Sequence, residues 1–230
     1  IYQKISIILN GNLKNMVAKS MTILDTLTRY EPRSFQHEVP IVWDKAKGYY
    51  VYDNGKEYID FSSGIFVANI GHSNNAVLRA IQEQLDKLLL HAYAFPTEVR
   101  ARLVKELAEL TGMEKVFLCS TGSEAVEAAL RCMWVDCGKR IKNGQWLSID
   151  GLFGSNHGRT YGCKHIIHKH ITPEWNVDWE RKAGLIIESY FGYNAEFHDK
   201  KWIQDLCAEA KKKGVPVCFD EIQSGFGRTG

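Results

Sequence analysis

From Val116 onward the chain alternates short apolar runs with longer amphipathic ones, and that alternation constrains its fold more than any other feature. Val116–Cys119, Trp146–Ile149, Leu185–Ile187 and Val215–Phe219 read as strands. Ser123–Trp134 and Lys200–Lys213 read as helices between them. The second helix has Asp199 as its cap, three lysines in its last turn and Gly214 at its end, which suits the partial charges of the helix termini. Strands alternating with helices predict an α/β fold built on a mostly parallel sheet.

The first part of the chain is organised differently. Tyr49–Tyr52 and Glu57–Phe61 flank Asp53-Asn54-Gly55. Asn and Gly tolerate the positive φ that tight hairpin turns require, so a β-hairpin is expected. A helix is expected around Met16 to Thr28. Leu78, Ile81, Leu85 and Leu88 share one helical face, and Val99, Leu103, Leu107 and Leu110 share another, with Thr97 as N-cap. These readings divide the chain into an N-terminal segment, 1–75, and a large domain, 76–230. The apolar stretch Ile1–Leu9 is short and lacks a small-residue cleavage site, so it reads as a packed segment rather than a signal peptide. The first residue is not methionine, which is expected of a fragment or a processed end.

Composition excludes several classes of function. The 230 residues are 45% apolar and 24% charged, ordinary values for a globular protein with a sizeable core. A net charge of +2 gives no field strong enough to argue for nucleic acid or an anionic membrane. No apolar run approaches the length of a spanning helix. The six cysteines contain no CxxC pair, and free thiols in a reducing cytoplasm are the expectation.

Ligands of open α/β sheets bind at the C-terminal ends of the strands, so the residues that follow each strand matter most. They are Ser120-Thr121-Gly122-Ser123-Glu124, then Asp150-Gly151-Leu152-Phe153 with His157-Gly158-Arg159-Thr160, then Glu188, then Asp220-Glu221-Ile222-Gln223. A helix N-terminus carries unpaired N–H groups suited to phosphate; Gly122 allows close approach and Ser123 adds a hydroxyl. The alternative for this turn is a plain capping box from Thr121 to Glu124. Asp220 ends an apolar strand, where a carboxylate needs a partner, whether a ligand, a helix N–H or an ion pair. Arg159 could clamp a carboxylate in bidentate fashion or lie on the surface. Gly225-Phe-Gly-Arg-Thr-Gly230 fits G-x-G-x-x-G in form only: it begins well past its strand, opens no helix and precedes no acid, which argues against a dinucleotide site. His165, His168 and His170 cluster without a fourth ligand, so no metal site is expected.

Cys218-Phe-Asp-Glu-Ile-Gln-Ser-Gly-Phe-Gly-Arg-Thr-Gly230, Ser120-Thr-Gly-Ser-Glu-Ala-Val-Glu-Ala-Ala129 and His157-Gly-Arg-Thr160 together resemble the signatures of the class III (ω-amino) aminotransferases. Asp60-Phe-Ser-Ser-Gly64 and Ala68-Asn-Ile-Gly-His72 are similar to the N-terminal region of that family, and the resemblance covers roughly 38–230 in family order. It implies a fold type I large domain and pyridoxal 5'-phosphate as cofactor. It further implies that Asp220 pairs with the pyridinium nitrogen, Gln223 bonds the ring 3-oxygen, and Gly122 and Ser123 hold the phosphate. By the same resemblance Glu188 ends a strand beside the cofactor, His157 belongs to its binding motif, Phe153 is the nearest candidate to stack on the ring, Arg159 binds a substrate carboxylate, and Ile65, Phe66 and Val67 line the substrate pocket.

The implied reaction is a ping-pong transfer of an amino group from an ω-amino acid, diamine or related amine to a 2-oxo acid, in a cytoplasmic homodimer with sites at the subunit interface. The chain departs from the pattern in places. The lysine that carries the cofactor is expected beyond Gly230. Gly154-Ser155-Asn156 separates Phe153 from His157, the stretch from Arg159 to Glu188 is short, Ser189 replaces the usual proline, and Tyr193 stands where many members have a second glutamate. The alternatives are a non-catalytic homologue that binds the cofactor or a partner, an aminomutase on the same scaffold and, on the glycine run alone, a nucleotide-dependent oxidoreductase. The intact set of Asp220, Gln223, Gly122, Ser123 and Arg159 favours the aminotransferase.

Overall fold

The central parallel sheet is ordered by one strand, Lys182–Glu188, whose seven residues are all buried. A computed structural model describes residues 22–32, 41–87, 94–138, 147–152, 166–169, 177–192 and 195–229. Contacts divide the chain into two units, one of residues 1–61 and 71–75, the other of 62–70 and 76–230.

In the first unit α1 (Ile23–Tyr30) opens with a capping box between Thr22 and Asp25. It starts later than the sequence pattern predicts, and residues before 22 lie outside the described set. Three strands follow, β1 (Lys45–Lys47), β2 (Tyr50–Asp53) and β3 (Lys56–Ile59), in an antiparallel sheet of that order. The hairpin turn falls on Asn54 and Gly55, with φ of 48° and 80°, the left-handed pair that a type I′ turn needs. The Trp43 and Tyr58 rings meet edge to face at 5.3 Å. Gly48 and His72 exchange backbone hydrogen bonds of 2.9 and 2.7 Å, and His72 Nε2 lies 2.7 Å from Asp60 Oδ2.

The second unit contains α2 (Asn75–Leu85, its first residue excepted), α3 (Glu98–Thr111), α4 (Gly122–Gly138) and α5 (Lys200–Lys213). Its sheet has the order β5-β4-β6-β9, with β4 Ser148–Leu152, β5 Ile166–Lys169, β6 Lys182–Glu188 and β9 Val217–Asp220, all parallel. A short hairpin, β7 (Tyr190–Phe191) with β8 (Glu196–Phe197), leads into α5. As the sequence predicts, Asp199 caps α5 by accepting from Trp202 N, and Gly214 ends it at φ 68°.

Two apolar clusters sandwich the sheet. One joins α4, through Val126, Leu130 and Met133, to Leu147, Ile149, Ala183 and Ile186. The other joins α5, through Leu206 and Ala210, to Leu185, Ile187, Val177 and Val215. Burying each Leu or Ile contributes roughly 1.5–3 kcal/mol. Gly184 lets α4 approach closely, since a Cβ there would lie 2.4 Å from Met133 Sδ. The pairing skips one residue at this point: Ser148 faces Lys182 but Ile149 faces Gly184, so Ala183 is an extra residue on β6.

Two expectations need correcting. Val116–Cys119 joins no ladder among the described residues, and Phe117 is 74% exposed. A strand needs a neighbour's N–H and C=O groups as much as its own apolar pattern. The strand expected at Trp146–Ile149 instead runs to Leu152. Asp150 therefore lies inside the sheet and not in the loop at its edge; it is fully buried, 2.8 Å from Lys182 Nζ. Ser148 Oγ donates to Asp150 Oδ1 at 3.0 Å and accepts from Lys182 Nζ at 3.1 Å.

α2 and α3 bury none of their residues within this chain. Leu88 lies outside the described residues, but Leu78, Ile81, Leu85, Val99, Leu103 and Leu110 are exposed. Thr97 occupies the N-cap of α3 without a side-chain hydrogen bond to the helix.

Candidate active site

Strand parity brings the acidic residues together. Along β6, Gly184 and Ile186 face α4, so Glu188 at the end of the strand has the same parity. On β9, Cys218 packs against the α4 cluster, which gives Asp220 that parity too. Glu188 and Asp220 are register partners, 4% and 5% exposed, at the C-terminal edge of the sheet and on the face that α4 covers.

The α4 N-terminus comes to the same edge. A Cβ on Gly122 would lie 3.1 Å from Ile222 Cδ1, so the first residue of α4 packs against the segment two residues beyond Asp220. The capping box weighed for this turn is formed: Glu124 N donates to Thr121 Oγ1 at 3.2 Å, and Glu124 Oε2 accepts from Thr121 N at 3.1 Å and Ser120 N at 2.8 Å. That box uses Ser120 N and Thr121 N before the helix and Glu124 N within its first turn. Gly122 N and Ser123 N open the first turn, whose N–H groups have no acceptor within the helix, and the Ser123 side chain is exposed.

After β9 the chain turns at once, with Ile222 N donating to Asp220 Oδ1 at 3.1 Å. Gln223 then lies against the loop that follows β7. A Cβ on Gly192 would meet Gln223 Oε1 at 2.3 Å, so only glycine at 192 leaves room for that amide. Gly192 N donates to Glu188 Oε2 at 3.2 Å, which links Glu188, Gly192 and Gln223 in one chain of contacts. His198 Nε2 lies 2.9 Å from Glu188 O; burial holds its imidazole below the ordinary range, against the pull of that hydrogen bond. Ser224 is buried and donates to Glu221 Oε2 at 2.7 Å.

Phe66 lies on a turn, Ser63–Phe66, in which all four residues are left-handed, with φ of 52°, 62°, 60° and 66°. For residues other than glycine this costs roughly 1–2 kcal/mol each. Arg228 lies against the turn with its guanidinium 5.5 Å from the Phe66 ring centroid. Phe153, His157, Arg159 and Tyr193 lie outside the described residues.

Gly192, Ser63, Asn69 and Arg228 are the site's neighbours that sequence reading missed. Ser63, Asn69 and Arg228 fall inside motifs that resemble the family's signatures, but those motifs gave them no individual role. A cleft of about 920 Å³ runs along α4, lined by Phe117, Cys119, Ser120, Ser123 and Cys132 among others. It reaches Ser123 but neither Asp220 nor Glu188.

The aminotransferase class-III family profile matches residues 32–176, well over half of the chain. The chain belongs to the class-III aminotransferases. Among relatives of this aminotransferase chain is the acetylornithine aminotransferase of Methanosarcina mazei, 34% identical over 95% of this chain and 59% of its own length. The ornithine aminotransferase of Saccharomyces cerevisiae is 31% identical over 84% of this chain and 54% of its own. Among solved structures, the ornithine aminotransferase of Toxoplasma gondii, described with partial occupancy of pyridoxal phosphate at its active site, superposes with a TM-score of 0.72 at 25% identity. It covers 90% of this chain and 55% of that one. This aminotransferase chain thus spans under two thirds of the length of the curated relatives it matches.

The class-III aminotransferases depend on pyridoxal phosphate, and the described residues fit it. Two buried acidic side chains at partnered register positions would suit a protonated ring nitrogen. A glycine-opened helix N-terminus packs beside them, where a phosphate is favoured. Among the described residues, no helix is long and apolar enough to cross a membrane, and no group of three or more His, Cys, Asp or Glu could hold a metal ion.

Proposed function

We propose that this chain carries the pyridinium and phosphate ends of the cofactor site of an enzyme that transfers an amino group from an ω-amino acid, diamine or related amine to a 2-oxo acid. The register pairing of Glu188 with Asp220, beside the α4 N-terminus, is the observation that carries the reading. When bound, pyridoxal phosphate supplies an electron-withdrawing ring that makes a substrate proton labile.

The chain's own residues keep that ring oriented and charged. Asp220 holds the proton on the pyridinium nitrogen, and its burial strengthens the charge pairing by excluding water. Gln223 donates to the ring 3-oxygen, with its amide fixed against Gly192. Gly122 N, Ser123 N and Ser123 Oγ hold the phosphate. Glu188 adds negative charge beside Asp220 and keeps the Gly192 loop in place. Phe153 and His157 complete the cofactor contacts, Arg159 binds a substrate carboxylate, and Phe66 lines the amine pocket. In this scheme residues 76–230 form the cofactor domain and 1–75 an N-terminal segment. The exposed apolar faces of α2 and α3 support burial in a homodimer, and a cytoplasmic setting suits the free cysteines.

The test is spectroscopic. The full-length protein, loaded with pyridoxal phosphate, is titrated with acetylornithine, ornithine and other primary amines, then with 2-oxo acids. A donor should shift the cofactor absorbance and an acceptor should reverse the shift. Bound cofactor that responds to no primary amine would sink the reading.

A further inference from the structure

Arg228 reaches across 159 positions of sequence to a turn that the backbone does not favour. Its Nη2 donates to Ser63 Oγ at 3.1 Å and its Nε to Asn69 Oδ1 at 2.9 Å, with a further contact from Nη2 to the same Asn69 oxygen. Its charged plane faces the Phe66 ring at 5.5 Å. Asn69 Nδ2 in turn donates to Gly225 O at 3.5 Å. The guanidinium therefore holds both ends of the segment 63–69 and packs on its middle.

The segment needs holding. Ile65 is β-branched yet left-handed, and its own side chain is 70% exposed, so burial does not fix it. Phe66 N bonds Ser62 O, and Val67 N and Ala68 N both bond Ser63 O, at 2.9–3.0 Å. These bonds close the turn, and Arg228 anchors it to the loop that carries Gln223.

We infer that Arg228 is a positioning residue that straps the left-handed turn 63–69, and with it Phe66, to the loop following β9. The inference deepens the proposed function, because it rests on Phe66 lining the amine pocket; it makes the pocket wall and the cofactor-binding loop move as one piece. An arginine is needed here: lysine keeps the charge but presents no planar fork that can grip two oxygens while stacking on a ring.

The test compares wild type, Arg228→Lys and Arg228→Lys combined with Ile65→Gly in the full-length protein loaded with pyridoxal phosphate. Amide hydrogen exchange at Phe66, Val67 and Ala68 reads the turn directly. Arg228→Lys should speed exchange there by about tenfold or more, with α5 unaffected. It should raise the KM of the amine donor by about tenfold, with a smaller change in kcat and the same cofactor absorbance. Adding Ile65→Gly, which removes the steric cost of the left-handed conformation, should recover part of the protection. Unchanged exchange in Arg228→Lys overturns the strap. Faster exchange with an unchanged KM overturns its role in substrate positioning. If wild type itself responds to no amine, the proposed function fails separately, and the exchange comparison still decides the strap.

Discussion

Glu188 and Asp220 are partners in parallel register, each the last residue of its strand and each buried against the α4 face of the sheet. In the proposed reading, Asp220 holds the cationic ring nitrogen and Glu188 stands beside it. Asp220→Asn in the full-length protein keeps the shape and removes the charge. The expected result is a fall in kcat of about 10²–10⁴-fold, the range for losing a group that holds an essential proton. Stopped-flow measurement of the half-reaction with donor checks it, and near wild-type turnover would remove Asp220 from the chemistry.

The contact between Gly192 and Gln223 gives a second expectation. Alanine at 192 puts a methyl group where the Gln223 amide oxygen lies, so Gln223 must swing away. Cofactor affinity should drop about tenfold, equivalent to ~1.4 kcal/mol. Equilibrium dialysis against pyridoxal phosphate reads this, and Gly192→Ala should match Gln223→Ala. A normal dissociation constant in the alanine variant would mean that Gln223 does not touch the cofactor.

His198 makes stability depend on pH. Burial lowers its folded-state pKa from the ordinary 6.5. As pH falls below that value, the unfolded chain takes up the proton first, so unfolding gains. The His198 contribution is fully present above about pH 6.5 and is lost as pH falls through the lower folded value. Urea midpoints at pH 7.5 and 5.5 should differ more for wild type than for His198→Gln; equal differences would show that His198 titrates normally.

Thiol chemistry separates the described cysteines. Burial, helped by the nearby Asp220 charge, raises the Cys218 thiol to about 11, whereas Cys119 and Cys132 are exposed. At pH 8 only about a thousandth of Cys218 is thiolate, the form that reacts. Mass-spectrometric mapping after brief alkylation of this chain should find Cys119 and Cys132 modified well before Cys218.

The Asp150–Lys182 ion pair is buried, so a single substitution can leave a charge without its partner. Lys182→Met leaves a fully buried carboxylate without its cation, which should destabilise the chain by about 3–5 kcal/mol. Replacing both, with Asp150→Leu added, should recover much of that loss. Denaturant melts of the two variants decide it, and a double variant as weak as the single one would contradict the account.

Legibility in the sequence followed the range of the interactions involved. α5 could be read almost residue by residue, because Asp199, the three terminal lysines and Gly214 all act on neighbours a few positions away. The Asn54-Gly55 turn was equally local. Asp150 misled because a polar residue after an apolar run resembles a strand end, and its partner Lys182 lies on another strand. Val116–Cys119 misled in the opposite way: its pattern suits a strand, but pairing depends on a neighbour the segment itself does not encode. Within the candidate site, the motifs pointed to Asp220, Gln223 and Glu188. The contacts of Gly192 with Gln223 and of Arg228 with Ser63 and Asn69 join distant segments, and no local spacing reveals them.

The extra residue at Ala183 acts as a phase marker on β6. Below it, Lys182 meets Asp150; above it, the alternation restarts so that Glu188 falls on the face shared with Asp220. Removing that one residue would shorten the strand by a single step, yet every side chain on one side of the skip would change face relative to those on the other. The ion pair at one end of β6 and the acidic pair at its other end could then no longer both keep their partners.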